Sequence, residues 1–309
     1  MRSADVRGIA ERALGWVHDH RSRFRLADDP LAPDADVDHT WKPLGELAQV
    51  CVCVRRRTDT GDPLHRTATE LLDHAWRQTG HGSLFLDLLR LEPFATYPLE
   101  CYAAFASEGL RHPGFEALAS TVTRTRGWRM TEQQPNRRLG IANSERRSGL
   151  TPHQSADTLL RRTWLGGLPE PWTFERTAGY TLTHVVFHAT DWGLRVRALP
   201  ADVADYLEAW LPPWVDTCFE DDQWDLGCEL LAVTASLPRG PAAADYQDAW
   251  SRLAHAQDAA GAVAELGPGR QGRTVPRTFA TCYHSTLMAA FAATLTAARG
   301  REDPGGGPA

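Results

Sequence analysis

Three short stretches of this chain carry side chains able to do chemistry. In the run Thr181-Leu182-Thr183-His184-Val185-Val186-Phe187-His188-Ala189-Thr190-Asp191-Trp192-Gly193, His184, His188 and Asp191 stand at i, i+4 and i+7. On a continuous helix all three project from one face. Two histidines and a carboxylate form the ligand set of non-haem iron and of many zinc sites. The same trio suits acid–base catalysis, with Asp191 orienting a histidine. Two partly buried histidines bonded to their own fold would leave the same letters. Gly193 is positioned to end the helix.

The second stretch is Trp224-Asp225-Leu226-Gly227-Cys228-Glu229. Asp225 and Glu229 are four apart and share a helix face. If Glu229 is buried beside the apolar run 230–233, desolvation raises its pKa and makes it a candidate acid. The third stretch, Thr281-Cys282-Tyr283-His284-Ser285-Thr286, opens the last helix. Tyr283 and His284 are too polar for a purely apolar face and are expected to point into the same cavity as His184. Thr281 or Ser285 there can equally be a helix cap. The expected catalytic set is therefore His184, Asp191, Glu229, His284 and Tyr283.

Two further patterns carry less. The segment 124–147 holds seven arginines against Glu132 and Glu145, which suits either capture of a carboxylate or phosphate, or a solvated face of local ion pairs. The letters Asp221-Asp222-Gln223-Trp224-Asp225 match the aspartate motif of terpene cyclases, but no second metal motif accompanies them. No dinucleotide fingerprint, P-loop, nucleophile elbow or H-E-x-x-H occurs. No cofactor is expected, and a divalent metal, Zn or Fe, stays open.

The elements that must position these residues read at helical period almost throughout. In the first segment Val6, Ile9, Ala10, Ala13, Leu14 and Val17 recur at three- and four-residue steps, with Arg7, Glu11 and Arg12 outside the stripe. About twelve such stretches follow one another with cap signals such as Asp62-Pro63 and Ser155, and without alternating strands. The fold class expected is all-α. No repeat of fixed period favours an open solenoid, so an α/α toroid of paired helices is expected. The run Leu253-Ala254-His255-Ala256-Gln257, followed by Gly261, is a helix end entering a glycine turn, of the kind found at hairpin corners of α/α-toroid enzymes. One helical domain is expected over 1–299, with a disordered tail over 300–309.

Composition narrows the class. The 309 residues are 42% hydrophobic and 23% charged, with a net charge of −6, which excludes disordered and fibrous classes and gives no footprint for nucleic acid. No apolar run approaches transmembrane length. Six cysteines without a C-x-x-C spacing fit reduced thiols in a cytoplasmic protein. Eleven tryptophans fill a core or line a cavity for a flat apolar ligand.

The runs from Gly179 to Gly193, Trp224 to Leu231 and Cys282 to Leu287 come in an order that resembles an uncharacterised actinobacterial all-helical family. Its members are of similar length, carry T-H-x-x-F-Y-x-T-D-F-G, D-L-x-x-E-L-L and Y-H-x-T-L motifs, and occur in natural-product gene neighbourhoods. His184, Asp191, Asp225, Glu229, Tyr283 and His284 match that pattern. His188 departs from it, because the position is aromatic there, and this counts against a family-wide metal site on His184 and His188. The resemblance implies no reaction. The function expected is a tailoring enzyme of specialised metabolism. It would act by acid–base chemistry (cyclisation, isomerisation or elimination) on a small apolar substrate in a central helical cavity. The alternative is a non-catalytic helical binding or scaffold protein. The expected partner is a small-molecule substrate, with no nucleic acid and no membrane, and the oligomeric state is left open.

Overall fold

Helices begin where short polar side chains can hold their first free N–H groups. Asp62 accepts the N–H of Leu64 at 2.9 Å with Pro63 in the first turn, and Ser155 accepts that of Thr158 at 3.1 Å. The structure, a computed structural model, describes residues 3–32, 36–241, 246–268 and 276–302. Among these residues it contains fourteen α-helices, four short 3-10 turns and no strand. The helices are α1 (Ser3–Asp19), α2 (Trp41–Arg57), α3 (Pro63–Gln78), α4 (Ser83–Leu91), α5 (Tyr97–Ser107), α6 (Pro113–Val122) and α7 (Arg126–Met130). They continue with α8 (Pro135–Arg147), α9 (Ala156–Leu160), α10 (Arg176–Ala189), α11 (Ala201–Glu220), α12 (Trp224–Ala235), α13 (Gln247–Ala256) and α14 (Phe279–Glu302). Only α7 and α9 are as short as five residues, so twelve long helices account for the twelve or so apolar stretches.

Six of these helices meet in a closed cycle. Helix α2 packs on α5, α5 on α8, α8 on α10, α10 on α12, α12 on α14, and α14 returns to α2. The other helices flank the cycle: α1 lies on α14 and α3, α3 on α2, α4 on α5 and α6, α9 on α8 and α10, and α11 on α12 and α13. This neighbour order is compatible with an α/α toroid. Helix α14 contributes to the cycle through small side chains: Ala289, Ala290, Ala292 and Ala293 are all fully buried. A helix that is apolar all round belongs inside a protein, and alanines let its neighbours approach closely. No helix among the described residues is long and apolar enough to cross a membrane.

Most tryptophans serve packing. Trp41 and Trp128 are fully buried, and Trp16, Trp76, Trp214, Trp224 and Trp250 are buried as well. Helix α14 continues through Glu302, past the expected start of the tail at 300, and residues 303–309 of that tail lie outside the described residues.

The Gln257 corner has a definite task. Its Nε2 donates to Ile9 O at 3.2 Å and Gly261 O at 3.0 Å, and its Oε1 accepts from Arg12 Nε at 2.8 Å, so the end of α13 is tied to α1. Gly261 sits at φ +100°, and a Cβ there would stand 2.2 Å from the carbonyl oxygen of Arg12. Backbone cannot move aside as a flexible side chain can. Gly261→Ala is therefore expected to destabilise the chain by more than about 1 kcal/mol. Gly61→Ala, in open space, should stay within about 0.5 kcal/mol of the parent. Chemical denaturation of the two variants checks this, and equal midpoints would contradict the corner's role.

Candidate functional site

Four consecutive helices of the cycle, α10, α12, α14 and α2, each bring polar side chains to one point. Helix α12 supplies Asp225 and Glu229, one turn apart; α10 supplies Tyr180 and Thr183; α14 supplies His284; α2 supplies Glu46. His284 is the hub. Its Nδ1 is 3.0 Å from Glu46 Oε2, its Nε2 is 3.2 Å from Glu229 Oε1, and Asp225 Oδ1 is 3.6 Å from the same Nε2. The outer oxygens are also held. Tyr180 donates its hydroxyl to Asp225 Oδ2 at 2.8 Å, and Thr183 donates to Glu229 Oε2. Glu229 and Asp225 are buried, with side chains 1% and 5% exposed, whereas His284 keeps 26% of its side chain open. The cluster is thus sealed on the carboxylate side and reachable at the imidazole.

Electrostatics divides the roles. Burial alone would lower the His284 pKa, but Glu46, Asp225 and Glu229 outweigh it and hold the ring protonated well above the usual histidine range. Burial pushes Glu229 upward, yet the hydrogen bond from His284, the charge of His184 and the Thr183 hydroxyl together bring it below the usual carboxylate value. Asp225 goes the other way. Burial is its strongest influence, His284 opposes it, Glu229 adds to it, and its pKa is raised to about 6. Glu229 is buried as expected, but the expected rise fails because His284 compensates it; the carboxyl poised to hold a proton is Asp225. Burial and the nearby carboxylates raise the phenols of Tyr180 and Tyr283, which remain O–H donors at neutral pH.

The expected residues separate. Glu229 and His284 meet directly, and Tyr283 lies alongside, its ring 6.2 Å from that of His284 and its phenol next to Glu46. His184 is exposed and reaches Glu229 through its charge, without a contact of the kind His284 makes. His188 packs near Gly140, whose added Cβ would lie 2.9 Å from its Nε2. Burial, with His184 beside it, pushes the His188 pKa down to about 3 and keeps the ring neutral.

Asp191 departs from the expected face altogether. Helix α10 ends at Ala189, and Asp191 adopts a left-handed backbone at φ 52°, so the i+7 geometry is not realised. Its Oδ1 lies 3.2 Å from Arg146 Nη2 and 3.6 Å from Arg147 Nε. Arg147 in turn donates to Gln49 and Ser107. The arginine-rich segment is largely used in this way: Arg137 pairs with Glu100 at 2.6 Å, and Arg138 is buried on α8. Sequence reasoning passed over Glu46, Tyr180 and Thr183. Glu46 left a signal, a single acidic residue between the apolar residues of the 43–54 stretch.

Three substitutions test these assignments. Removing one partner of a buried ion pair strands the other, at about 3–5 kcal/mol. His284→Ala should lose stability on that scale, and adding Glu229→Gln should return part of it, as read from urea unfolding in a double-mutant cycle. Asp191→Ala should be similarly costly because it strands Arg147, whose side chain is 5% exposed. A wild-type melting profile for Asp191→Ala would contradict this structural role.

No curated protein and no solved structure matches the chain. One family model does, over residues 10–294, which takes in the whole His284 cluster and all but the ends of α1 and α14. On that match the chain belongs to the family described as Domain of unknown function (DUF6895).

Proposed function

We propose that this protein is an enzyme that transfers protons on a small apolar molecule at the His284 cluster. The observation that carries the reading is the gathering of three carboxylates, one from α2 and two from α12, around one histidine of α14, with the two α12 carboxylates almost fully buried. Buried charges cost several kcal/mol each, and hydrophobic replacements often make a fold more stable. A cluster of this kind, open at one edge, is the arrangement a reaction site needs.

In this reading His284 is the group that meets substrate, because it is the most exposed member. Its Nε2–H donates to Glu229, with Asp225 Oδ1 3.6 Å from the same nitrogen, and its Nδ1–H donates to Glu46. Asp225 Oδ1 has no hydrogen-bond partner, so it is free to accept a proton. Tyr283, stacked on Phe279 with ring centroids 5.3 Å apart, supplies an apolar wall. Cyclisation, isomerisation and elimination each need one proton delivered and one removed, which a histidine between carboxylates can do. The setting proposed is specialised metabolism in the cytoplasm. The motif resemblance supports the first, and six free cysteines support the second.

The test needs no known substrate. The full chain is incubated in D2O with an extract of its source cells, alongside His284→Gln shown by circular dichroism to be folded. The expected result is an extract component that gains deuterium or changes retention time with the parent protein and not with the variant. A component held by the protein but returned unchanged would instead favour the non-catalytic binding or scaffold reading.

A further inference from the structure

We infer that Asp225, Glu229 and His284 form a binding site for one divalent transition-metal ion of the zinc, iron or manganese class, with Glu46 as its outer support. The inference rests on the reading of this cluster as the functional centre, though not on the reaction assigned to it.

The spacing of the three side chains fits a single ion. Ligands held about 2.1 Å from one ion, at tetrahedral or octahedral angles, stand about 3–3.4 Å apart. His284 Nε2 is 3.2 Å from Glu229 Oε1 and 3.6 Å from Asp225 Oδ1. One ligand atom from each residue lies within 4.8 Å of the other two. Both His284 spacings are within a few tenths of an ångström of that range, and the two carboxylate oxygens draw together around the ion to close the set.

One oxygen of the cluster is unused. Asp225 is 4% exposed, and its Oδ1 has no hydrogen-bond partner although it faces the imidazole edge. A buried carboxylate oxygen left in this way is expensive, and an ion at the common point would satisfy it.

The far atom of every ligand is also held. Tyr180 fixes Asp225 Oδ2, Thr183 fixes Glu229 Oε2, and Glu46 takes the Nδ1 proton of His284. This fixes the tautomer that leaves Nε2 as the lone-pair donor once its proton is displaced, the carboxylate–histidine–metal arrangement of well-supported sites. Two carboxylates and one imidazole are oxygen-rich and borderline in softness, which suits zinc, iron or manganese. These ligands differ from the His184, His188 and Asp191 set suggested by helical spacing. They leave the remaining coordination positions to water or substrate on the exposed side of His284.

The test is a calorimetric titration of Zn2+ into the full chain after chelator treatment and dialysis. One ion per chain is expected. Asp225→Asn and Glu229→Gln should remove that stoichiometric event. Glu46→Gln should keep the stoichiometry and weaken binding by about 10–100-fold. His255→Ala, at an exposed residue of α13, should bind as the parent does, and circular dichroism checks that each variant is folded. Absence of a one-to-one event in the parent overturns the inference, as does binding that survives in Asp225→Asn and so lies at thiols or other histidines. Turnover without a one-to-one binding event overturns the metal while leaving the proton-transfer reading intact. Stoichiometric binding without any turnover upholds the metal and counts against that reading.

Discussion

Burying Glu229 and Asp225 on neighbouring turns of α12 takes two carboxylates out of water, and repulsion between them adds to the desolvation cost. His284 is what makes their burial tolerable. Its charge sits between both carboxylates and Glu46, so one side chain of α14 holds α2 and α12 together. This contact orders the site and constrains the helical cycle. The apolar packing of α14 against α1, α12 and α2 brings the helices close, but it is not directional. The hydrogen bonds to the two nitrogens of a flat ring are, and they fix how α14 is turned about its axis.

The same arrangement explains why the two α12 carboxylates differ although they share a helix face. Glu229 receives two strong hydrogen bonds, from His284 and from Thr183. Asp225 receives one, from Tyr180, and its second oxygen meets His284 only at 3.6 Å. With burial nearly equal, the count and quality of bonds to the ionised form decide the order of the pKa values, and Asp225 is left raised. Paired groups driven apart in this way are the usual basis for assigning separate acid and base roles.

The fold was legible because its signals are local. Apolar residues at three- and four-residue steps mark each long helix, and Asp62, Pro63 and Ser155 mark starts that the structure keeps. Glu229, His284 and Tyr283 were legible as polar groups interrupting apolar helices. The partner of His284 was not, because Glu46 lies 238 residues away and only packing brings α2 beside α14. The His184–Asp191 pattern misled for a local reason. A spacing of i+7 assumes two unbroken turns, yet Thr190 closes its own hydroxyl onto Val186 O at 2.7 Å, and the chain turns into left-handed backbone at Asp191 and Trp192. Periodicity predicts faces only as far as the helix runs.

The Asp191 cluster nevertheless bears on the site through rigid helices. Asp191 lies against Arg147 of α8, and Arg147 donates to Gln49 of α2. Gln49 is three residues from Glu46, so the two side chains share one face of α2 a turn apart. Fixing Gln49 against α8 therefore sets the rotation of α2, and with it the direction in which Glu46 meets His284. Arg147 is 5% exposed on its side chain and cannot regain water if Asp191 is lost, so the clamp is costly to release. A charged pair at the end of α10 and a charged hub between α12 and α14 thus act on the same helix, α2. The first holds its orientation, and the second uses that orientation to fix the His284 ring.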